Sequence, residues 1–585
     1  IKLRRIWLRQ SEKIIVFGLF IIVIILYTQP KPVADVIQLL VREEGVVLVN
    51  GELKKDYHDY KYLELEALQK GPGDGGIAAV LPPDTKKEYD DLYKVNGFNA
   101  RLSDEIALNR SLKDIRHPKC KDRLYLAKLP TAAVVVPFHN EHWTTLLRTA
   151  YSAYVRAPKH LLKEIILVDD ASTKDFLGVK LDNWLAKHLP IGKVVRLPER
   201  WGLIRARLEG AKHTTADVII FLDAHTEATT NWLPPLLEPI AKDYRTAVCP
   251  FIDVIDFENF EYRAQDEGRR GAFDWEFYYK RLPVLAADEA NMPEPFKPQL
   301  LKKSLFKSDC NFFHKTGHRK SFLKGKDVLG DHFNLLLQWW QCSGSLISLS
   351  CCFCAHMYKY VAFKTKLLFQ NYRRVAEVWM DEYANYLYMR QPGWLQTSTG
   401  DISEQKAVRV RQKCKSFKWF MENVAFDLTK HYPLIEPPDY ANGTIQNLGD
   451  PSLCLDTKFK GQFDRLDSVA PCNGGSQQKF QITAYKDLRP LKSHNCFDVP
   501  DLAQTHAPVL LFGCHKGLGN QMWRYDMDHK LIRFGAQSSH CLDFSPSTKE
   551  VFVAHCDMTS KTQTWSWTYV HEERCRNYNN LDPKP

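Results

Sequence analysis

Val218-Ile219-Ile220-Phe221-Leu222-Asp223-Ala224-His225 is an apolar run that ends on a carboxylate and an imidazole two residues apart. Upstream of it, Ala132 to Val136 reads as a buried β run, Leu146 to Tyr154 as a helix, and Glu164 to Val168 as a second β run ending in Asp169 and Asp170. Apolar strands alternating with helices predict an α/β domain with a mostly parallel sheet, and such sheets bind ligands outside the carboxyl ends of their strands. The acidic residues stand at those ends. On an extended segment Asp223 and His225 point to the same side and can share one cation. Carboxylate oxygen with imidazole nitrogen suits Mn²⁺, and a diphosphate can complete its shell; the bland alternative is an ordinary polar loop pair. Asp169 and Asp170 can accept hydrogen bonds from a uridine ring and ribose, or else cap the following helix. Arg200 and Arg205 are cations that can meet a diphosphate, or plain surface arginines.

The chain is 585 residues long, too long for one core, so several folding units are expected. Its 44% hydrophobic and 25% charged residues are those of a globular protein. The net charge of +11 is spread along the chain without a nucleic-acid-binding module, so no nucleic-acid partner is expected. Fifteen cysteines, six of them at paired spacings near the C-terminus, argue for disulfides in an oxidising compartment.

Ile14 to Tyr27 is an uncharged apolar run behind Lys2, Arg4, Arg5, Arg9 and Lys13. The positive flank belongs on the cytoplasmic side. No small-x-small cleavage site follows, which favours an uncleaved signal anchor over a cleaved signal peptide. The expected order is a cytoplasmic tail (1–13), a transmembrane anchor (14–28), a stem (29–70), and the rest of the chain in the lumen. The Gly71-Pro72-Gly73-Asp74-Gly75-Gly76 run reads as a hinge or loop, since no strand leads into it and no Gly-Lys-Ser follows.

After Pro433 the texture changes to short strands, turns and evenly spaced cysteines. Three units recur: Cys454-Leu455-Asp456 with Cys472 and Gln478-Lys479-Phe480; Cys496-Phe497-Asp498 with Cys514 and Gln521-Met522-Trp523; Cys541-Leu542-Asp543 with Cys556 and Gln563-Thr564-Trp565. Their starts are 42 and 45 residues apart, an internal threefold repeat that looks like a ricin-type β-trefoil. Each cysteine pair is expected to staple one lobe, and the Gln-x-aromatic positions to be core.

Several motifs resemble those of the polypeptide N-acetylgalactosaminyltransferases: Val95-Asn96-Gly97-Phe98-Asn99, Pro137-Phe138-His139-Asn140-Glu141, Leu167-Val168-Asp169-Asp170, Gly202-Leu203-Ile204-Arg205-Ala206-Arg207, Phe221-Leu222-Asp223-Ala224-His225, Arg270-Gly271-Ala272-Phe273-Asp274-Trp275 and Arg374-Val375-Ala376-Glu377-Val378-Trp379-Met380-Asp381-Glu382-Tyr383. The resemblance implies a GT-A catalytic domain (71–435) and a ricin B-type lectin domain (440–575) in a single-pass type II protein of the Golgi membrane. It implies retaining transfer of N-acetylgalactosamine from UDP-N-acetylgalactosamine to Ser and Thr hydroxyls of peptides and glycopeptides. Asp223, His225 and His356 would hold Mn²⁺, and Asp169, Asp170 and Arg200 the nucleotide. It also implies disulfides Cys120–Cys351 and Cys249–Cys342, which explain the cysteines beside His356 better than zinc does. Cys310, Cys352, Cys354, Cys414 and Cys575 are left unassigned.

The chain departs from the family between 299 and 366. The family's Ala-Gly-Gly-Leu-Phe stretch appears as Lys302-Lys303-Ser304-Leu305-Phe306, and its Trp-Gly-Gly-Glu as Val328-Leu329-Gly330-Asp331. Asp331 is therefore the expected catalytic carboxylate, one methylene short. The stretch from His356 to Asn371 is shorter than the family's and lacks its Pro and Gly residues. The alternative that these changes open is a catalytically inactive homologue acting as a GalNAc-binding lectin in the secretory pathway. In the second trefoil lobe Asp498, Phe512, His515 and Asn520 follow the family's sugar-binding pattern, whereas the other lobes lack the matching Asn. Asn109-Arg110-Ser111 and Asn442-Gly443-Thr444 are N-glycosylation sequons.

Overall fold

The computed structural model describes residues 45–81, 86–283 apart from 117 and 265–268, residue 285, strands at 313–315 and 345–357, and 365–580 apart from 462, 463, 467, 503, 504, 537 and 538. The expected anchor at 14–28 and Asp331 lie outside these residues. Among the described residues no helix is long and apolar enough to cross a membrane. The chain divides into two compact units between Leu428 and Thr429.

The first unit is built on strand β1 (Ala132–Phe138), all seven residues of which are buried. Helix α1 (Trp143–Val155) leads to β2 (Leu162–Asp169), then α2 (Val179–His188), β3 (Gly192–Arg196), α3 (Leu203–Lys212) and β4 (Val218–Phe221). β4, β1, β2 and β3 are joined in parallel. A strand buried on both faces needs apolar side chains on both, which is why the run Ala132 to Val136 does not alternate. Beyond β4 come β5 (Thr226–Ala228), β6 (Thr246–Ile255), β7 (Phe313–Lys315) and β8 (Ser345–Met357), and the sheet order is β3-β2-β1-β4-β7-β6-β8-β5. This second half is mixed. β7 runs antiparallel to β4 and β6, β8 is parallel to β6, and β5 is antiparallel to β8.

Helix α3 lies close on the sheet because of Gly210. A Cβ there would stand 2.3 Å from Val135 Cγ1 and 2.7 Å from Val168 Cγ2, so any side chain would force the helix outward at a cost of about 1 to 3 kcal/mol.

Residues 45 to 70, expected as the end of a stem, are folded. Val46–Val49 and Glu52–Lys55 form a hairpin that pairs with Tyr125–Leu126, and Tyr60–Ala67 is a helix capped by the Asp59 carboxylate. Glu66 on that helix is buried and accepts from Arg156 Nη2 at 2.6 Å. Arg156 also donates to the carbonyls of Ala228 and Arg110. Arg110 in turn donates to Glu227 Oε2 at 2.9 Å, and Arg148 Nε lies 3.9 Å from the same carboxylate. Burial alone would raise the Glu227 carboxyl, but Arg110 and Arg148 hold it below its ordinary value. Burial pushes Arg148 down to about 10 against the pull of Glu227. The buried charges fix β5 through Glu227, two residues after His225. The amphipathic pattern of Tyr60–Ala67 is weak, so charge pairing rather than an apolar stripe holds this helix down.

In the second unit, the structure joins Cys454 to Cys472, Cys496 to Cys514 and Cys541 to Cys556. The repeat also recurs in its hydrogen bonds. Gln478 Nε2, Gln521 Nε2 and Gln563 Nε2 each donate at 2.9 Å to Oδ2 of the lobe's aspartate: Asp456, Asp498 and Asp543. Phe480, Trp523 and Trp565 are fully buried beneath them. The two indoles satisfy their N–H groups on the carbonyls of Phe497 and Leu542, and Phe480 has no such group to satisfy.

Candidate active site

The carboxyl ends of β1, β2 and β4 bring the acidic residues to one edge of the sheet. Asp169 ends β2 and Asp170 follows it, both about 95% buried. Asp169 accepts from Arg196 Nη1 at 2.7 Å and from the Ser172 N–H at 2.8 Å. Asp170 Oδ1 accepts from the N–H of Trp201 at 2.7 Å, and Oδ2 from the N–H of Gly202 at 2.9 Å. Both N–H groups turn toward one carboxylate because Gly202 has φ +86°, ψ 166°, a conformation that only glycine adopts without strain. Asp170 thus holds the loop entering α3, a different helix from the one the sequence suggested it might cap. Arg200 stands in that loop, 60% exposed, with Nε 3.5 Å from Asp170 Oδ2.

Asp223 leaves β4, and Ala224 and His225 form a turn rather than the extended segment expected. Asp223 and His225 are half-buried while Ala224 between them is 3% exposed. Strand register then places His356 of β8 opposite Thr226, the residue after His225. Backbone register therefore brings the position of His356 beside the Asp223–His225 turn, although it lies far along the chain from them.

Two residues that stand in the sequence only as letters of motifs are partners of these ligands. Arg207 on α3 donates to Asp223 Oδ1 at 2.8 Å, while Arg205, which the sequence offered as a second diphosphate cation, is exposed on the same helix. Glu141, after β1, lies with Oε2 at 3.2 Å from His225 Nδ1, and its Oε1 accepts from the His142 N–H. A carboxylate only accepts, so Nδ1 of His225 donates, and in the neutral imidazole the lone pair then sits on Nε2. That tautomer fits a divalent cation, since metal-binding histidines ordinarily donate their other N–H to a carboxylate. His139 from the same motif bonds the Asp170 carbonyl at 2.7 Å, joining the two acidic corners. An isolated Glu gives no signal in sequence that it will face a histidine 84 residues on.

Other expected positions are placed as follows. Cys120 is disulfide-bonded, and so is Cys414, which the sequence had left unassigned. Cys249 and Cys351 are described as strand backbone, and Cys342 lies outside the described residues. Cys575 is a buried free thiol. Asn109 is half-buried beside Arg110, which is 1% exposed, and Ser111, whose N–H donates to Asp74 at 2.7 Å. Asn442 is half-buried in a strand paired on both edges. In the second trefoil lobe, Asp498 is buried at the rim and Phe512, His515 and Asn520 are exposed around it.

Residues 133–308 match the family model of glycosyl transferase family 2, and residues 441–565 that of the ricin-type beta-trefoil lectin domain. A parallel-sheet glycosyltransferase unit followed by a lectin unit is the class that fold and site define. N-acetylgalactosaminyltransferase 6 of Drosophila melanogaster is 44% identical over 564 residues, covering 94% of this chain and 84% of the relative. Polypeptide N-acetylgalactosaminyltransferase 10 of Mus musculus is 40% identical over 565 residues, covering 93% and 92%. The crystal structure of GalNAc-T7 with UDP, GalNAc and Mn²⁺ superimposes with a TM-score of 0.62 at 33% identity, covering 86% of this chain and 94% of that one. The chain belongs to the polypeptide N-acetylgalactosaminyltransferase family, glycosyltransferases of mucin-type O-glycosylation.

Proposed function

We propose that the chain transfers N-acetylgalactosamine from UDP-N-acetylgalactosamine to Ser and Thr hydroxyls of proteins and glycoproteins, with retention, as a single-pass type II protein of the Golgi membrane. The observation that carries the site assignment is the meeting of Asp223, His225 and the backbone of His356 at the end of the sheet. These three residues would hold Mn²⁺, which when bound supplies positive charge against the diphosphate of the leaving UDP. Glu141 orients His225, and Arg207 orients Asp223. Asp169 and Asp170 shape the nucleotide end of the site. Arg200, exposed and loosely tethered to Asp170, is the cation that can swing to the nucleotide. Asp331 is the proposed carboxylate of the sugar pocket, and Asp498 with Asn520 and the Phe512 ring the sugar-binding face of the lectin unit.

The test is Mn²⁺-dependent release of UDP from UDP-N-acetylgalactosamine, with and without Ser/Thr peptides and glycopeptides, against Asp223→Ala as blank. Peptide-stimulated release above the blank is expected. The changes between Lys302 and Asp331 favour one other reading, an inactive lectin. Release no greater than the blank, from protein that still binds N-acetylgalactosamine, would establish it.

A further inference from the structure

In every trefoil lobe the residue before the first cysteine lies opposite the residue before the second. The three pairs are Leu453 with Pro471, Asn495 with Gly513, and His540 with His555. The fold is thus built twice without a histidine at this place, and only the third lobe sets two imidazoles there. Their ring centres are 4.2 Å apart, with the planes at 31°.

Strand register explains the closeness. The Cys556 N–H donates to the Ser539 carbonyl at 2.9 Å, so 539 and 556 are a hydrogen-bonded pair and the next pair, 540 and 555, is one without ladder bonds. Side chains of such pairs stand nearer each other. The disulfide from Cys541 to Cys556 joins the chain neighbours of both histidines, and the next pair on the same face, Leu542 and Val553, is fully buried. The rings therefore sit on a fixed base at the solvent end of the core, His540 half-buried and His555 exposed.

The surroundings also keep nitrogen lone pairs free. Burial first, and His555 second, hold the His540 imidazole below its ordinary value, and a metal takes only the neutral ring. Ser539 Oγ lies 3.0 Å from Nδ1 of His540. A hydroxyl can accept from that nitrogen and leave the lone pair on Nε2, the arrangement in which a metal-binding histidine is held through its other N–H.

We propose that His540 and His555 form a binding site for a divalent ion that prefers imidazole nitrogen, Zn²⁺ or Cu²⁺, which clamps the two strands of the third lobe. Two Zn–N bonds at a tetrahedral angle set the nitrogens about 3.3 Å apart, within a small side-chain rotation of the observed ring spacing. Among the described residues no third His, Asp, Glu or Cys closes on the pair, so water completes the shell and the ion exchanges freely. Two nitrogens without a carboxylate disfavour Mn²⁺, which prefers oxygen, and this separates the pair in chemistry from the Asp223 site.

The experiment is a calorimetric titration of Zn²⁺ into the full chain carrying Asp223→Ala, which removes a ligand of the proposed Mn²⁺ site. It is repeated with His540→Asn added, since the second lobe folds with Asn495 at that place. The parent is expected to take up a Zn²⁺ ion whose affinity falls about tenfold or more in the variant, because even the outer partner of a metal ligand is worth about 10- to 100-fold. A second readout needs no substitution in the lobe: acylation of histidines by diethyl pyrocarbonate, followed by peptide mass spectrometry. Zn²⁺ is expected to protect His540 and His555 together. Equal uptake by parent and variant, or protection of other histidines only, overturns the proposal.

Discussion

The Arg207 guanidinium, on helix α3, donates to Oδ1 of Asp223 at the end of strand β4 across 2.8 Å. Helix and strand are adjacent in sequence, but the pair forms only because α3 lies flat on the sheet, and it lies flat because Gly210 carries no side chain. The arginine is 11% and the aspartate 20% exposed, so each limits the rotamers of the other.

Replacing Arg207 by Met is therefore expected to raise the Mn²⁺ concentration for half-maximal UDP release by about tenfold or more, as loss of a metal ligand's outer partner does. The rate at saturating Mn²⁺ should fall less. A variant with an unchanged Mn²⁺ requirement would remove Arg207 from the site.

Glu141 sets the tautomer of His225. Glu141→Ala should weaken Mn²⁺ dependence by about 10- to 100-fold. Glu141→Gln, which keeps an acceptor for Nδ1 but not the charge, should lose less. Equal losses in the two variants, read from Mn²⁺ titrations, would point to the charge rather than the hydrogen bond.

Asp170 accepts two backbone N–H groups at the entry of α3. Asp170→Ala leaves both without their partner and is expected to cost about 1 to 3 kcal/mol in stability. It should also raise KM for UDP-N-acetylgalactosamine more than it lowers kcat, because the Arg200 loop loses its anchor. Asp170→Asn presents one carbonyl oxygen and should fall between. Thermal melts and donor titrations of the two variants give the order.

Glu164 supplies a pH dependence with a definite sign. Burial raises its carboxyl, but hydrogen bonds from Lys193 and Thr215 outweigh burial and lower it from 4.5 to about 2. A carboxyl depressed in the folded state stabilises it above the unfolded value, and the contribution fades as pH falls from there through about 2. Glu164→Gln should melt below wild type at pH 7, and the gap should close on acidification over that range. A gap that stays constant with pH would show that the charge is not what matters.

Much of this molecule can be read from the chain. The unbroken apolar runs of β1 and β4 announce strands covered on both faces, and the Asp and His residues at their ends mark where a ligand would bind. The three Cys-x-Asp units give the trefoil its symmetry. The hairpin and helix between Val46 and Ala67 are not legible in the sequence, because what holds them to the catalytic unit includes the buried Glu66–Arg156 pair, a strand partner at Tyr125–Leu126 and the Tyr57 hydroxyl on the Leu126 and Ala127 carbonyls, and none of these leaves a periodic trace. The turn at Ala224 and His225 leaves no sequence signal for a related reason. An apolar run shows where a strand begins but not where the chain bends after its last hydrogen bond.

Motif and period are local properties, set by which side chains can face a core at spacings of two or 3.6 residues, and so the sequence by itself determined the two kinds of domain, the strand ends and the identity of the candidate ligands. It could not choose partners. That Glu141 faces His225, that Arg207 rather than Arg205 meets Asp223, that Asp170 holds the α3 loop, and that Asn520 donates to Asp498 were decided by tertiary structure. Each is a directional contact of about 3 Å between side chains whose nearness depends on how whole elements pack.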